Sequence, residues 1–496
     1  MRDRVRIPLT LLAPVLFSLA SLSAEPPYPV GAAKQVFIDG KFIEHIRGAK
    51  LVVNRPRITG EKLLVAAHPW EDFYIGAYIS VIQDQDRIHL WYETADKRTL
   101  SDPSAVAYAY SIDGGATWTK PKLNAIEYEG SRQNNLVLTR VHGSTVFLNR
   151  PDAPASQRFC LFAGQSDSTE SHRYPSKAFC SPDGIHWTAT GKVPFLDVSG
   201  LKKHHNYHLD SQNIMFWDTR IRKYVAMPRI NSGETENGRL GRTVGRAESD
   251  RFGDFNTPQI VFSRDPDDPP NTDFYTSGTI QYSGASDAYY MFPAAYHHYA
   301  SPPHPGNDGP IDIQFAASRD GTHWLRPDRR PIIRNGLAGS WNAGAAYVGY
   351  GISRFGNELS LYYSAYDVTH GAYVKRGYLG GTITRAIYRV DGFMSVDAGY
   401  QGGEFTTPAV VFSGDRLEIN FDGSAGGWAE VELLDTSGTP IPGFTAKDAD
   451  RITGNAVAKT VTWGGKRDLS SIKNRPIRLR FMMRDVKLYA FQFPNR

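Results

Sequence analysis

Hydrophobic and aromatic residues alternate with polar ones in short runs along most of the chain, and such runs predict β-strands. Turn residues separate the runs, and no long stretch has the spacing of an amphipathic helix. The predicted strands up to residue 400 are 77–83, 87–94, 105–111, 146–149, 158–163, 176–181, 213–217, 223–228, 243–249, 278–282, 288–294, 311–318, 345–349, 358–364 and 378–388. The pattern predicts an all-β protein.

A turn motif recurs among these strands and gives them a period. Segments 111–118, 181–187, 249–255 and 318–324 each join Ser and Asp to a closing aromatic residue. Asp bonds nearby backbone amides in such a turn, and Gly accepts positive φ. The aromatic positions are Trp118, Trp187, Phe255, Trp324 and, in a fifth turn, Phe393, spaced 69, 68, 69 and 69 residues apart. Five repeats of about four strands each predict a five-bladed β-propeller.

The rhythm changes towards the C-terminus. Shorter strands are predicted at 409–412, 417–421, 429–434 and 477–482, and the turn motif does not recur among them. A segment of this size suits a separate β-sandwich. We therefore expect the propeller at 34–403 and the sandwich at 404–496, with the boundary in the Gly-rich stretch 399–403.

The first residues resemble an export signal. Arg2, Arg4 and Arg6 precede the apolar stretch 7–22, and small residues end the segment at Ala24. The stretch is short and contains prolines, which favours cleavage after residue 24 over a permanent membrane anchor. We expect a secreted or periplasmic protein with no stable membrane insertion.

Charge and cysteine content narrow the possible partners. The net charge is +5, part of which belongs to the signal segment, so no nucleic-acid partner is expected. Cys160 and Cys180 are the two cysteines, too few for a zinc site of their own. Their spacing suits neighbouring strands of one hairpin, where a disulfide and a pair of buried thiols are both compatible with the sequence.

Candidate chemistry gathers where the strands of each blade open. In a propeller the start of the innermost strand and the end of the second strand lie on the same face, which we call the mouth. Residues at these points are Trp70, Asp72, Glu93, His142, Arg173, His208, Asp210, Arg229, Asp273, Tyr275, His297, His298, Trp341, Tyr366, Asp367 and His370. Aromatic faces, arginines and carboxylates in one place predict a carbohydrate substrate.

Two carboxylates are the candidate catalytic residues. Asp210 opens an inner strand and is assigned as nucleophile or base, and Glu93 ends the second strand of the first blade and is assigned as acid. Glycosidases use two carboxyl groups about 5 Å apart when they retain configuration and roughly 6.5–9.5 Å apart when they invert it. The residues assigned to substrate binding are Trp70, Asp72, Arg173, His208, Arg229, Tyr275, His297, Trp341, Tyr366 and Asp367. The turn aspartates Asp113, Asp183 and Asp320 are interpreted as structural.

Clustered histidines leave a second interpretation open. His204, His205 and His208, or His297 and His298, could ligate a metal, since imidazole suits zinc and other transition ions. Such histidines more often donate hydrogen bonds to a substrate or to neighbouring residues, so no metal is assigned. No cofactor is expected, and the sequence leaves the oligomeric state open.

The five repeats, the Ser-x-Asp-Gly turns and the appended sandwich resemble the five-bladed glycoside hydrolases of family 32 and the related family 43. The turns are also similar to the Asp-boxes of sialidases, which have six blades. The resemblance implies a propeller that acts on glycosidic bonds. Family 32 carries its nucleophile in a Trp-x-Asn-Asp-Pro-x-Gly motif, whereas the matching stretch here, 76–80, has no carboxylate. A Glu-Cys acid motif is also absent from the sequence, so fructosidase activity is not implied and the family's catalytic residues are not transferred.

Two hypotheses of different class remain. The first is a secreted glycoside hydrolase acting on a polysaccharide or oligosaccharide at the mouth by a two-carboxylate mechanism. The second is a non-catalytic propeller that binds carbohydrate or another surface. The missing family motifs favour the second, and the polar ring that includes Glu93, Asp210, Arg229 and His297 favours the first.

Overall fold

Nearly all regular structure is β-strand in the computed structural model, which describes residues 26–98, 104–164, 176–190, 196, 209–231, 241–299 and 307–495. The predicted signal segment lies outside these residues. The single α-helix among them is Tyr373–Arg376, and the 3-10 turns are Gly40–Phe42, Pro69–Glu71, Ala155–Gln157 and Ser470–Ile472. No helix in the described ranges is long and apolar enough to span a membrane. The predicted all-β class is confirmed.

In sequence order the antiparallel strands in the middle of the chain can be assigned to five groups, and parallel pairs join strands of the first, fourth and fifth groups in one twelve-stranded sheet. The first contains Tyr74–Asp84, Arg87–Ala95, Ala105–Ser111 and Leu136–Thr139; the second contains His142–Leu148, Phe159–Gly164, Ser176–Ser181 and Thr188–Thr190. The third contains Ile214–Asp218, Lys223–Met227, Arg229–Asn231, Arg242–Ser249 and Gln259–Phe262. The fourth contains Thr272–Phe274, Ile280–Gln281, Tyr289–Met291, Ala294–His297, Ile311–Ile313 and Ala316–Ser318. The fifth contains Ala345–Phe355, Glu358–Tyr366 and Thr382–Arg389.

Inner strands of successive groups contact one another in a cycle. The backbone N–H of Val146 donates to Ser80 Oγ at 3.0 Å, joining the second group to the first. The N–H of Asn213 donates to the Gly143 carbonyl at 3.2 Å, joining the third to the second. The remaining contacts are Ser211 Oγ donating to the Tyr275 carbonyl at 3.1 Å, Ile311 paired in parallel with Ala345, and Tyr350 paired in parallel with Ser80. Sheets that close on one another in this way form a propeller-type β-fold.

The chain before the first group supplies the outer edge of the fifth. Arg57–Ile58 and Leu64–Val65 both pair with Thr382–Arg389. The first and last groups are therefore held together by main-chain hydrogen bonds, which protects an otherwise open sheet edge.

Two further sheets pack as a sandwich. The seven-stranded sheet contains Tyr28–Gly31, His45–Arg47, Gly403–Thr406, Val410–Phe412, Trp428–Leu434, Ile452–Thr453 and Pro476–Arg484. The six-stranded sheet contains Gln35–Val36, Ala49–Val53, Met394–Ala398, Glu418–Asp422, Asn455–Thr460 and Val486–Gln492. Phe37, Phe405, Phe481 and Phe491 meet between them and are almost completely buried.

Strand pairing corrects the expected boundary between propeller and sandwich. Residues 28–53, most of which were assigned to the propeller that starts at 34, pair with C-terminal strands instead. The stretch 399–403, expected as the boundary, connects the two sandwich sheets. The physical reason is that the N-terminal strands complete the sandwich, burying Val30, Phe37 and Phe42 in its core. Such long-range pairing leaves no mark in the local hydrophobic pattern.

A buried carboxylate ties the two domains together. Asp391 accepts hydrogen bonds from Tyr282 Oη at 2.6 Å, Asn420 Nδ2 at 2.9 Å and Lys34 Nζ at 2.8 Å. It lies in the fifth repeat turn with φ of 62° and is almost completely buried. That turn therefore differs from the exposed Asp turns of the other repeats and anchors the propeller to the sandwich.

Cys160 and Cys180 lie opposite each other on adjacent strands of the second group and form a disulfide. The cross-link joins the second and third strands of that group. In a chain exposed to oxidising conditions it would stabilise the native state by restricting the unfolded chain.

Candidate active site at the propeller mouth

Polar side chains from all five groups meet at one end of the propeller. Tyr74 pairs with Ala95 and Ala345 with Tyr366, so inner strands begin where second strands end. The described residues that form the mouth are Tyr78, Glu93, His142, Asp210, Arg229, Arg242, Asp273, Tyr275, Tyr296, His298, Tyr347 and His370. The arrangement follows from the antiparallel return of each second strand.

An imidazole lies between the two carboxylates that the sequence singles out. His142 Nδ1 is 3.3 Å from Glu93 Oε2, and His142 Nε2 is 3.4 Å from Asp210 Oδ1. Since the ring is only about 2 Å wide between its nitrogens, the two carboxylate oxygens are at most roughly 9 Å apart, within the span that paired glycosidase carboxylates cover. The Glu93 side chain is completely buried, whereas that of Asp210 is 25% exposed.

Glu93, His142 and Asp210 form a charged triad, and the groups around His142 and Asp210 shift their pKa values. Burial disfavours the imidazolium of His142, but the hydrogen bonds and negative charges of Asp210 and Glu93 outweigh burial and raise its pKa to about 10. Burial likewise acts against the Asp210 carboxylate, yet the positive charges of Arg229 and His142 lower its pKa to about 2. At neutral pH His142 is therefore an imidazolium and Asp210 is ionised.

The backbone around Asp210 is tightly fixed. Leu209 is buried with φ of 66°, a strained conformation for a residue with a large side chain. Asn213 holds this turn from inside, because its Nδ2 donates to the Leu209 carbonyl at 2.9 Å and its Oδ1 accepts from the Arg229 N–H at 3.0 Å. Gly143 must remain glycine, since a Cβ there would lie 2.1 Å from the Ser211 carbonyl oxygen. The backbone conformation of Leu209 and the hydrogen bonds of Asn213 together fix the position of the Asp210 backbone.

A carboxylate-to-backbone bond fixes the other end of the triad. The N–H of Ser144 donates to Glu93 Oε1 at 2.7 Å, so Glu93 is tied to the strand that begins with His142. The buried side chain of Arg229 completes the arrangement, with its Nη2 donating to Asp210 Oδ2 at 3.2 Å. Each charged group of the triad is therefore held by an element other than its own.

Aromatic rings form the remaining wall. The Tyr275 ring centroid is 5.5 Å from Tyr347 and 4.8 Å from His370. The guanidinium groups of Arg229 and Arg242 lie 5.5 and 5.0 Å from the same Tyr275 ring. Burial, followed by the charge of Arg242, lowers the pKa of His370 to about 3, so this imidazole is neutral. Aromatic faces beside charged groups give the mouth the mixed character that carbohydrate sites have.

A second ion pair borders this wall. Arg242 Nη1 donates to Asp273 Oδ2 at 3.1 Å, and His298 Nε2 lies 3.0 Å from the same oxygen. The charge of Arg242 and the bond to His298 hold the pKa of Asp273 below its usual value, although burial acts in the opposite direction. The sequence does not single out Arg242, because it opens a third strand and the topological expectation covers only first and second strands.

Several assigned residues take other positions. Tyr366 is completely buried and donates to the Ile75 carbonyl at 3.3 Å, so it supports the mouth from below and its substrate-binding assignment is corrected. Glu93 is completely buried behind His142. Both side chains point inward because alternate residues of a strand face opposite sides.

Other assigned residues lie at the rim of the propeller. Trp70 donates to Asn135 Oδ1 at 3.0 Å and stacks on His68, within the first group. Asp72 accepts from the Lys97 N–H at 2.7 Å, and Asp367 pairs with Arg376 at 2.8 Å.

The remaining rim residues are only partly exposed. Trp341 is partly buried, with Lys62 Nζ 5.8 Å from its ring, and His297 bonds Thr272 Oγ1 at 3.0 Å. Arg173 and His208 lie outside the described residues, as do His204 and His205. Within the described ranges no group of three or more His, Cys, Asp or Glu side chains is arranged to hold a metal ion.

Known proteins resemble this chain in structure but not detectably in sequence. No family model and no curated protein matches it. A solved structure described as a glycoside hydrolase is 14% identical, covering 67% of this chain and 92% of its own, with a TM-score of 0.47. A structure from work on the GH130 family, described as mannoside phosphorylases with glycoside hydrolases that target β-1,2 mannosidic linkages in Candida mannan, is 15% identical. It covers 72% of this chain and 96% of its own, with a TM-score of 0.44.

A third similar structure is an N-acetylgalactosamine deacetylase from F. plautii in complex with blood group B trisaccharide. It is 11% identical and covers 70% of this chain and 97% of its own, with a TM-score of 0.43. Similarities this low leave the residues at the mouth as the basis for assigning a function to this chain.

Proposed function

We propose that this protein is a glycoside hydrolase that cleaves a polysaccharide or oligosaccharide at the mouth, with Asp210 as its nucleophile. One observation carries the proposal: Asp210 is a partly exposed carboxylate kept ionised by Arg229 and His142 beside a wall of aromatic rings. A fixed, ionised carboxylate of this kind can attack an anomeric carbon without first losing a proton.

The proposed reaction is a retaining one, in which Asp210 is the nucleophile and His142, which contacts it at 3.4 Å, transfers the protons. Asp210 attacks the anomeric carbon, the bond from that carbon to the leaving oxygen breaks, and the leaving oxygen takes the Nε2 proton of His142. A water molecule then gives its proton back to His142 Nε2 and attacks the same carbon, which releases Asp210 as a carboxylate. Atoms and charges balance over the two steps.

The charge pattern lets one imidazole perform both proton transfers. Two carboxylates raise the pKa of His142 in the resting site. When Asp210 becomes an ester it loses its negative charge, so the pKa of His142 must fall towards the range in which it can release and accept a proton. Glu93 stays behind the ring and acts as a positioning residue. The two-carboxylate assignment is thus kept in a modified form.

The architecture and location belong to the same proposal. Each of the five strand groups is interpreted as one blade of a five-bladed propeller, similar in plan to families 32 and 43 but without the family 32 catalytic motifs. Residues 1–24 are proposed as a signal peptide that directs secretion. Fructosidase activity is not part of the proposal.

Screening with aryl glycosides of different leaving-group acidity tests this function. Asp210→Asn is expected to stop turnover of every aryl glycoside that the unmodified protein cleaves. Glu93→Gln is expected to lower the hydrolysis rate of glycosides with poor leaving groups far more than that of dinitrophenyl glycosides. Only the poor leaving groups need the proton that His142 supplies. Equal loss on both substrate types would contradict the assignment of Glu93 and His142 to proton transfer.

A non-catalytic carbohydrate-binding propeller is the second candidate. The observation that favours it is the complete burial of Glu93, which leaves Asp210 as the exposed member of the assigned pair. Saturable binding of an oligosaccharide, with no turnover on the aryl glycoside and polysaccharide panel, would establish this alternative.

A further inference from the structure

Three buried polar atoms without hydrogen-bond partners occur together at the edge of the mouth. Asp273 Oδ1, Arg242 Nε and His298 Nδ1 have no partner among the described residues. The Asp273 and His298 side chains are only 3% and 9% exposed. Buried polar groups are nearly always satisfied in native proteins, so a cluster of three unsatisfied atoms calls for a specific explanation.

The partners that these residues do have define what the free atoms can accept or donate. Asp273 Oδ2 accepts from the Arg242 N–H, Arg242 Nη1 and His298 Nε2 at 3.2, 3.1 and 3.0 Å. In the tautomer whose Nε2 donates to the Asp273 carboxylate, Nδ1 of His298 carries a lone pair. The site therefore has two free acceptors, Asp273 Oδ1 and His298 Nδ1, and one free donor, Arg242 Nε.

Aromatic contacts connect this cluster to the proposed nucleophile. His298 packs on Tyr296 with a centroid distance of 3.9 Å, and Arg242 lies 5.2 Å from the same ring. Arg242 also lies over Tyr275, the ring that Arg229 covers while it binds Asp210. Through Tyr275 the cluster therefore lies next to the groups that hold Asp210.

We propose that Asp273, His298 and Arg242 form a subsite for two adjacent free hydroxyl groups of a neutral glycosyl residue. This inference rests on the proposed function and names its substrate class. Two O–H groups donate to Asp273 Oδ1 and His298 Nδ1, and one hydroxyl oxygen accepts from Arg242 Nε. A carboxylate or sulfate ester in the same position has no proton to donate to Asp273 Oδ1 or His298 Nδ1, so acidic sugars are disfavoured.

Binding measurements on the Asp210→Asn protein test the subsite without consuming the ligand. The probes are methyl glycosides of neutral hexoses and pentoses, the matching uronic acids, and monodeoxy analogues of whichever neutral glycoside binds, titrated by calorimetry. Removing either hydroxyl is expected to weaken binding by about tenfold or more, and the uronic acid should bind more weakly than its neutral parent. These comparisons need no change in the subsite itself.

A variant cycle then assigns the hydroxyls to His298. In the Asp210→Asn background, His298→Ala is expected to weaken the parent glycoside by about tenfold while leaving one monodeoxy analogue unchanged, because the lost interaction is the same in both cases. His323→Ala is the matched control, since His323 also pairs with an aspartate, Asp320, but in the exposed turn of the fourth group. It should leave all affinities unaltered.

Several results would overturn the subsite. The first is an additive loss of binding free energy from His298→Ala and from deoxygenation, which would mean that the two act independently. The second is tighter binding of the uronic acid than of its neutral parent. The third is failure of every neutral glycoside to bind at millimolar concentration. Turnover by the unmodified protein with an unchanged KM in His298→Ala would also reject it while leaving the proposed function intact. Binding that depends on His298 in a protein without turnover would support the subsite and reject hydrolysis.

Discussion

Aspartates lie at both ends of the propeller, and their partners differ. At the turn end, Asp113, Asp183 and Asp320 each accept backbone N–H groups from residues two to four positions ahead, and their side chains are exposed or half-buried. At the mouth, Asp210 and Asp273 contact arginines and histidines from distant parts of the chain. The turn aspartates stabilise local structure, whereas the mouth aspartates form ion pairs with arginine and histidine side chains from several strands.

A low pKa does not distinguish the two kinds. The pKa of Asp113 is lowered to about 2, chiefly by the hydroxyl and N–H of Thr117. The pKa of Asp210 is lowered to about 2 against the effect of burial, by Arg229 and His142. The same shift therefore has a local cause at one end and a long-range cause at the other, and only the second brings together charged groups from different strand groups.

Substitution at the mouth should have the largest effect. Asp210→Asn is expected to lower kcat by roughly 10³-fold or more, because it removes the nucleophile while keeping the shape of the side chain. Steady-state kinetics on the best aryl glycoside measures the change. An Asp210→Asn protein with more than a tenth of the normal kcat would show that the mouth aspartate is no more catalytic than those in the turns.

The charged triad should make stability depend on alkaline pH. The folded pKa of His142 is raised to about 10 from an ordinary value of 6.5, so its stabilising contribution is complete below pH 6.5 and is lost as pH rises towards 10. His142→Gln should cost about 3–5 kcal/mol at pH 7, since Glu93 is left buried without its cation. Denaturant unfolding from pH 7 to pH 10 should show this difference shrinking, and parallel curves would contradict the pairing.

Substitution in a turn should affect stability alone. Asp320→Ala removes the acceptor for the Thr322 and His323 N–H groups and should lower the free energy of unfolding by about 1–2 kcal/mol. Turnover should be unchanged, because the turn lies at the far end of the fourth group. Urea unfolding and kinetics on the same preparation measure both quantities. A loss of kcat without a loss of stability would reverse the comparison between the two ends.

The repeat could be predicted from sequence because its causes are local. Turn aspartates such as Asp183 bond amides within a few residues, and the strands beside them alternate visibly; Ala105–Ser111 and Ser176–Ser181 have the predicted bounds. The sandwich boundary could not be predicted in the same way. Tyr28–Gly31 pairs with Val410–Phe412 almost four hundred residues away, and nothing in its local pattern names that partner.

The mouth was only partly predictable for the same physical reason. Strand direction brings Asp210, Arg229 and Tyr275 to one face, and sequence order alone gives that direction. Whether a side chain is exposed depends on neighbours from other groups, so the burial of Glu93 behind His142 could not be inferred from its own strand. Arg242 could be found only by including third-strand starts in the topological argument.

Covalent trapping tests the nucleophile most directly. A 2-deoxy-2-fluoro glycosyl fluoride, matched to the aryl glycoside that is cleaved fastest, should inactivate the protein and leave one glycosyl group attached. Mass spectrometry of the peptic digest should locate that group on Asp210, and Asp210→Asn should remain unlabelled. A label on any other carboxylate, or continued turnover of the aryl glycoside with no label formed, would contradict the assignment of Asp210.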